Sequence, residues 1–224
     1  MVCCSHCRGF EIQFGRKRAE RDLAQYKRGG ADAVTKLMLA ELQKRLLPGC
    51  NLLDIGAGIG VISAELARCG VGRVTVVEAS PSYLDVARQE VGLRYAQGSA
   101  EFVLGDFSVI GPGLTDADMV TLGRVVCCFP DAGSLLQAAA RRTRRLLASS
   151  YPRNRWDVRI ITVLQNFWRR LRGSSFRTYV HAPNEMDATL EHAGLRRVAR
   201  ATTSIWVLDV YERFRPADQA PDNE

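Results

Sequence analysis

At 224 residues, 46% of them hydrophobic and 25% charged, the chain has the size of one packed domain and is too short for two large ones. Its composition is that of a soluble globular protein, and no apolar run approaches the ~20 residues that span a bilayer. The formal charge of +7 is unevenly spread: between Arg141 and Arg177 lie eleven arginines and one acid, Asp157. Such a segment is either a solvated face or a region that attracts an anion: a carboxylated substrate, a membrane surface or a nucleic acid. Arginine's planar fork suits two-point carboxylate or phosphate contacts.

The N-terminus, Met1 to Arg8, has no apolar core, which predicts no secretory signal and a cytoplasmic protein with reduced cysteines. Cys3, Cys4, His6 and Cys7 put four soft ligands within five residues. That spacing is too tight for an ordinary structural zinc site, so no metal is assigned, and these four are the only candidates for one. Folded over the adjacent pair Cys127-Cys128, they would make a thiol-rich site for metalloid methylation or metal sensing. The preferred reading is a disordered terminus, with Cys127 and Cys128 as two small buried residues.

Residues 16–46 read as helix broken at Gly29-Gly30, with Val34, Leu37, Met38, Leu42 and Leu46 at helical spacing and Pro48-Gly49 as the stop. Strands and helices then alternate. Strands are predicted at Asn51–Ile55, Arg73–Glu78, Glu101–Leu104, Met119–Leu122 and Arg145–Ser150, and helices at Ile59–Cys69, Pro81–Tyr95 and Ala132–Arg144. This order means βαβ units and a parallel sheet with helices on both faces. Arg155–Leu171 is predicted as an amphipathic helix, with Trp156, Phe167 and Trp168 packed in the core; the alternative is an apolar surface for a ring or a membrane. A helix at Asn184–His192 and strands Leu195–Ala201 and Ser204–Tyr211 follow, then a disordered tail over 216–224.

The sharpest motif is Asp54-Ile55-Gly56-Ala57-Gly58-Ile59-Gly60, a glycine turn between an apolar strand and a helix. Glycines allow close backbone approach, and the helix start offers unpaired N–H groups. The spacing differs from the dinucleotide fingerprint, and Asp54 would repel a pyrophosphate while suiting an ammonium group. S-adenosylmethionine (SAM) carries an ammonium and a sulfonium and no phosphate, so the motif favours it over a dinucleotide. Glu78 ends the second strand, before Ala79, where it is placed to accept from both ribose hydroxyls. Asp106 ends the third, between Gly105 and Phe107, where it is placed to accept from an adenine amino group beside the Phe107 ring. Three acids at successive strand ends, on the edge where open α/β sheets bind ligands, are hard to ascribe to chance.

These motifs resemble those of class I SAM-dependent methyltransferases over residues 30–212. The resemblance implies a Rossmann-like α/β fold with a seven-stranded, mostly parallel sheet, an antiparallel last strand and helices on both faces. It implies a methyltransferase domain over 49–215, preceded by a cysteine-rich and lid segment over 1–48. Leu122-Gly123-Arg124 is then expected beside the methionine part of SAM, and Tyr26 and Arg28 in a lid. The runs Asp118 to Asp131, Ser149 to Arg153 and Tyr179 to His181 further resemble magnesium-protoporphyrin O-methyltransferases. That similarity implies a propionate carboxylate as acceptor, with Arg124, Tyr151, Arg153 and His181 as catalytic candidates. The expected partner is a small apolar anion, with peripheral membrane contact open; nucleic acid is not expected, because no Asn-Pro-Pro-Tyr-like motif is present.

Overall fold

The computed structural model describes residues 13–95 and 99–214. The cysteine cluster and the tail fall outside the described residues. Seven strands form one sheet: β1 (Asn51–Ile55), β2 (Arg73–Glu78), β3 (Ala100–Leu104), β4 (Ala117–Gly123), β5 (Thr143–Pro152), β6 (Leu195–Thr202) and β7 (Trp206–Arg213). Their order is β3-β2-β1-β4-β5-β7-β6. The first five pair in parallel, whereas β7 runs antiparallel between β5 and β6. The pairing of β6 with β7 shifts register between Arg197 and Ala199, a bulge in an edge strand.

Eight helices accompany the sheet in the described residues: α1 (Arg16–Gly29), α2 (Ala33–Gln43), α3 (Val61–Ala67), α4 (Pro81–Gly92), α5 (Phe107–Ile110), α6 (Ala132–Arg142), α7 (Trp156–Leu171) and α8 (Pro183–His192). Several starts follow directly from sequence. Asp32, Ser80, Asp106 and Asp131 each cap a helix by accepting a backbone N–H in its first turn. Gly30, at φ 72°, separates α1 from α2, as the paired glycines predict.

Side-chain alternation along the strands builds two cores. On one face Leu52, Val74, Met119 and Leu208 pack with Met38 and Leu42 of α2, Ala64 of α3 and Ala87 of α4. On the other, Leu53, Val120, Leu147 and Tyr211 pack with Leu135 and Ala139 of α6 and Leu190 of α8. Helix α7 joins neither cluster: its only buried residues are Val158 and Thr162. Trp156, Phe167 and Trp168 are therefore not core residues. Each is more than half exposed, which corrects the expectation drawn from their spacing.

Gly60 shows how tightly the glycine turn is packed. It sits at φ 79°, and a Cβ there would lie 2.6 Å from Val91 Cγ2 and 3.2 Å from Ala87 Cβ. Its role is to let α3 approach α4. Gly60→Ala combines left-handed strain with overpacking and is expected to lower stability by about 2–4 kcal/mol, measured by urea unfolding.

Candidate active site

A cavity of about 320 Å3 opens where the carboxyl ends of β1, β2, β3 and β4 meet. The turn after β1 forms its floor. Gly56 and Gly58 both stand at φ 60°, and both line the cavity with Ile55. The Ala57 N–H donates to Val77 O at 3.1 Å, which fixes the turn against β2.

Glu78 couples two loops. Its Oε2 accepts from the Gly58 N–H at 2.8 Å and its Oε1 from the Ser80 N–H at 2.9 Å. Burial pushes the carboxyl up to about 6, against these two N–H groups, which favour the ionised form. Asp106 also lines the cavity. Its Oδ1 accepts from the Ser108 N–H at 2.9 Å and the Ser108 hydroxyl at 2.7 Å. Gly105, Phe107, Ala79 and Gly123 complete this end.

Asp54 stands elsewhere. It is fully buried, and it accepts from the Ser63 and Thr121 hydroxyls, each at 2.7 Å. It is absent from the cavity wall and braces the turn from behind. Strand alternation explains this: Asp54 shares the face of Leu52, under α3. Ala57, Ile59, Gly60 and Leu122 likewise lie outside the wall; Ile59 packs against Ala19 and Tyr83, and Leu122 is wholly in the core.

Among the four catalytic candidates, only Arg124 reaches the cavity. It sits at φ 61°, unusual for a non-glycine residue. Its N–H donates to Ser150 Oγ at 2.9 Å, and its guanidinium pairs with Asp32 Oδ2 at 3.0 Å. Tyr151 is instead buried, donating its hydroxyl to Asp209, which Arg200 holds with two nitrogens at 2.7 and 2.8 Å. Arg153 is fastened to the β6–β7 turn through Thr203 O at 3.2 Å, and His181 Nε2 lies 3.0 Å from Phe129 O. None of these three lines the cavity.

The lid expectation shifts along its helix. Tyr26 donates to Glu65 and Arg28 is exposed, both away from the cavity. Phe14, Arg18 and Asp22 face it, four residues apart on one side of the chain. Asp22 Oδ2 accepts from the Tyr83 hydroxyl at 2.5 Å. The Phe14 ring meets Tyr83 and Phe176 edge to face at 5.6 and 5.3 Å, closing an aromatic roof.

The far wall holds residues that sequence reasoning missed: Gln165 and Arg169 of α7, Phe129, Phe176, Thr178 and Trp206. Arg169 donates to Thr178 Oγ1 at 2.7 Å and lies 5.1 Å over the Phe176 ring. Cys127 and Cys128 line the same wall, and of the two Cys127 ionises more readily, because the Cys128 S–H and the Arg124 guanidinium favour its thiolate. Among the described residues no three potential ligands cluster as a metal site. The arginine-rich segment is also broken up: Arg142, Arg145 and Arg177 bond backbone carbonyls, as Arg153 does.

Comparison with known proteins places this geometry. The family described as "Methyltransferase domain" matches residues 52–149. The chain carries a SAM-dependent methyltransferase domain. Its sequence is 28% identical over 194 residues to the magnesium-protoporphyrin O-methyltransferase of Rhodobacter capsulatus, covering 84% of this chain and 82% of that protein. It is also 28% identical over 112 residues to the ribosomal protein L11 methyltransferase of Dechloromonas aromatica, covering 48% of this chain and 38% of that one. In fold it resembles the magnesium protoporphyrin IX methyltransferase of Synechocystis PCC 6803 with bound S-adenosylhomocysteine (TM-score 0.72, 19% identity, 91% of this chain and 98% of that). The cofactor is SAM.

Tyr151→Phe tests the reassignment of that residue. Removing a buried hydroxyl donated to a carboxylate is expected to lower stability by about 2 kcal/mol in urea unfolding while leaving SAM affinity unchanged by calorimetry.

Proposed function

We propose that this methyltransferase esterifies a carboxylate of an apolar, anionic small molecule, with a tetrapyrrole-like acceptor as the first choice. The observation that carries the reading is the mixed lining of the cavity. Arginines Arg18, Arg124 and Arg169 share its wall with the acids Asp22, Glu78 and Asp106 and with the aromatic Phe129, Phe176 and Trp206. Among the described residues no histidine lines it. A carboxylate is nucleophilic as it stands and needs no base, whereas an alcohol would need one. Similarity to the Rhodobacter capsulatus protein over most of the chain supports the same acceptor class.

The residues fit the cofactor. Glycines at φ 60° bring the backbone of positions 56 and 58 to the cavity surface. Glu78 keeps lone pairs for the ribose hydroxyls, and Asp106, whose two hydrogen bonds both use Oδ1, keeps Oδ2 for the adenine amino group beside Phe107. When bound, SAM supplies an electrophilic methyl group on its sulfonium. The chain's part is positioning and exclusion of water: Arg124 and Arg169 hold the acceptor carboxylate, and the Phe14–Tyr83–Phe176 roof closes the site. A second reading, methylation of a thiophilic metalloid, rests on Cys127 and Cys128 in the same wall.

Labelled SAM and magnesium-protoporphyrin separate the two. Label entering the pigment and leaving as methanol on mild alkaline hydrolysis is the expected result. No transfer to the pigment, with transfer to arsenite, would replace the first reading by the second. Arg169→Gln is expected to raise KM for the acceptor about tenfold or more and to leave SAM affinity unchanged.

Glu78 gives a pH signature. Its raised folded value stabilises the apo protein below the unfolded value near 4.5, and this contribution is lost as pH rises through about 6. SAM needs the ionised form as acceptor, so affinity is expected to rise across the same window. Glu78→Gln should weaken SAM binding and flatten that pH dependence, followed by calorimetry between pH 5 and pH 8.

A further inference from the structure

Helix α7 is built inside out. At 100° per residue, Val158, Thr162, Gln165 and Arg169 fall on one side and Trp156, Ile160, Val163, Leu164, Phe167 and Leu171 on the other. A helix on a globular protein normally buries the second set. Here the polar side faces the protein. Thr162 is buried, Gln165 and Arg169 line the cavity, and Asn166 is bonded to Thr178 through both its amide nitrogen and its oxygen, at 2.7 and 3.0 Å. The apolar side faces solvent: Trp156 is 75% exposed, Val163 66% and Leu171 62%. Ile161 and Trp168 widen the same face.

The rim of this face is cationic. Arg159 and Arg170 lie along one border, and Arg155 and Arg172 at the two ends; all four are exposed. The single acid of the helix, Asp157, is neutralised by Arg155 at 3.0 Å. Tryptophans sit near each end, at 156 and 168. An exposed apolar stripe, an arginine border and terminal tryptophans are the features of a helix that lies in the plane of a membrane surface. A helix of 16 residues is about 24 Å long, too large a face for one small acceptor. A second copy of the chain would set the arginine borders against each other. An anionic bilayer satisfies both the apolar area and the charge.

We propose that α7 seats the protein on an anionic lipid surface, its outer side in the headgroup–acyl boundary and its inner side forming the acceptor wall of the cavity. The acceptor's entrance and the membrane contact are then two sides of one helix. An apolar anion dissolved in the bilayer would reach Gln165 and Arg169 without crossing much water.

Sedimentation of the full chain with vesicles tests this without any acceptor. The protein should partition onto mixed phosphatidylglycerol–phosphatidylcholine vesicles, with a blue shift of tryptophan emission, and bind weakly to pure phosphatidylcholine. Raising salt should reduce the binding. The pair Ile160→Ser and Phe167→Ser, and separately the pair Arg159→Glu and Arg170→Glu, should each lower partitioning about tenfold or more, with melting temperature and SAM affinity unchanged. No partitioning onto anionic vesicles, or partitioning that the Ile160–Phe167 pair leaves intact, would overturn the proposal. So would a dimer in sedimentation velocity that the same pair of substitutions dissolves, since the face would then belong to a second copy.

Discussion

A carboxylate with no access to solvent holds this site together. Asp54 lies at the centre of the sheet, in register with Thr121 on β4, and reaches Ser63 on α3. Burial raises its proton affinity and the two hydroxyls oppose that. A buried acid is costly unless bonded, so β1, β4 and α3 must meet at one point for the chain to fold. The glycine turn is the segment between the acid and the serine it binds. Fixing both ends of that segment leaves the turn little freedom, and the backbone of Gly56 and Gly58 is presented in advance of any ligand.

From that anchor the site extends by a chain of contacts. Glu78 is held by the Gly58 N–H and, in turn, holds the loop before α4 through Ser80. Ser80 then donates its hydroxyl to Phe14 O at 2.7 Å, which draws the N-terminal lid over the cavity. Cofactor loop, ribose loop and lid are therefore mechanically continuous. On the opposite wall, the Tyr179 N–H donates to Cys127 O at 2.8 Å, tying the segment behind α7 to the end of β4.

Much of the fold was legible because local signals and global topology agree. The bounds of β1 and β2 follow from apolar runs between turn residues, and Pro81 marks the start of α4. The site was legible in part. Glycine turns and acids at strand ends are short-range patterns, and the structure brings Gly56, Gly58, Glu78 and Asp106, all singled out by them, to one cavity wall. Asp54 lies behind the wall, not on it, because its partners stand 9 and 67 residues away and no local pattern announces them. The amphipathic stripe of α7 was read correctly as a stripe. Periodicity gives the stripe's existence and not what covers it, which is why Trp156 and Trp168 were expected inside. Phe14, Arg18 and Asp22 carried a usable signal in their spacing of four, hidden by their mixed chemistry.

The edge strand β6 has a consequence for solubility. An open sheet ends in unpaired N–H and C=O groups that invite another chain to add a strand. Here Arg196, Arg197 and Arg200 line that border, and the bulge between Arg197 and Ala199 breaks its regular spacing. Arg196 also lies 3.7 Å over the Phe214 ring, keeping a large apolar group beside the edge occupied. Arg197 and Arg200 are paired with Asp187 and Asp209, so an incoming strand would meet chiefly Arg196 and a mismatched ladder. The molecule thus carries a bulged, arginine-lined edge on one side of its sheet and a broad apolar helix face on another surface.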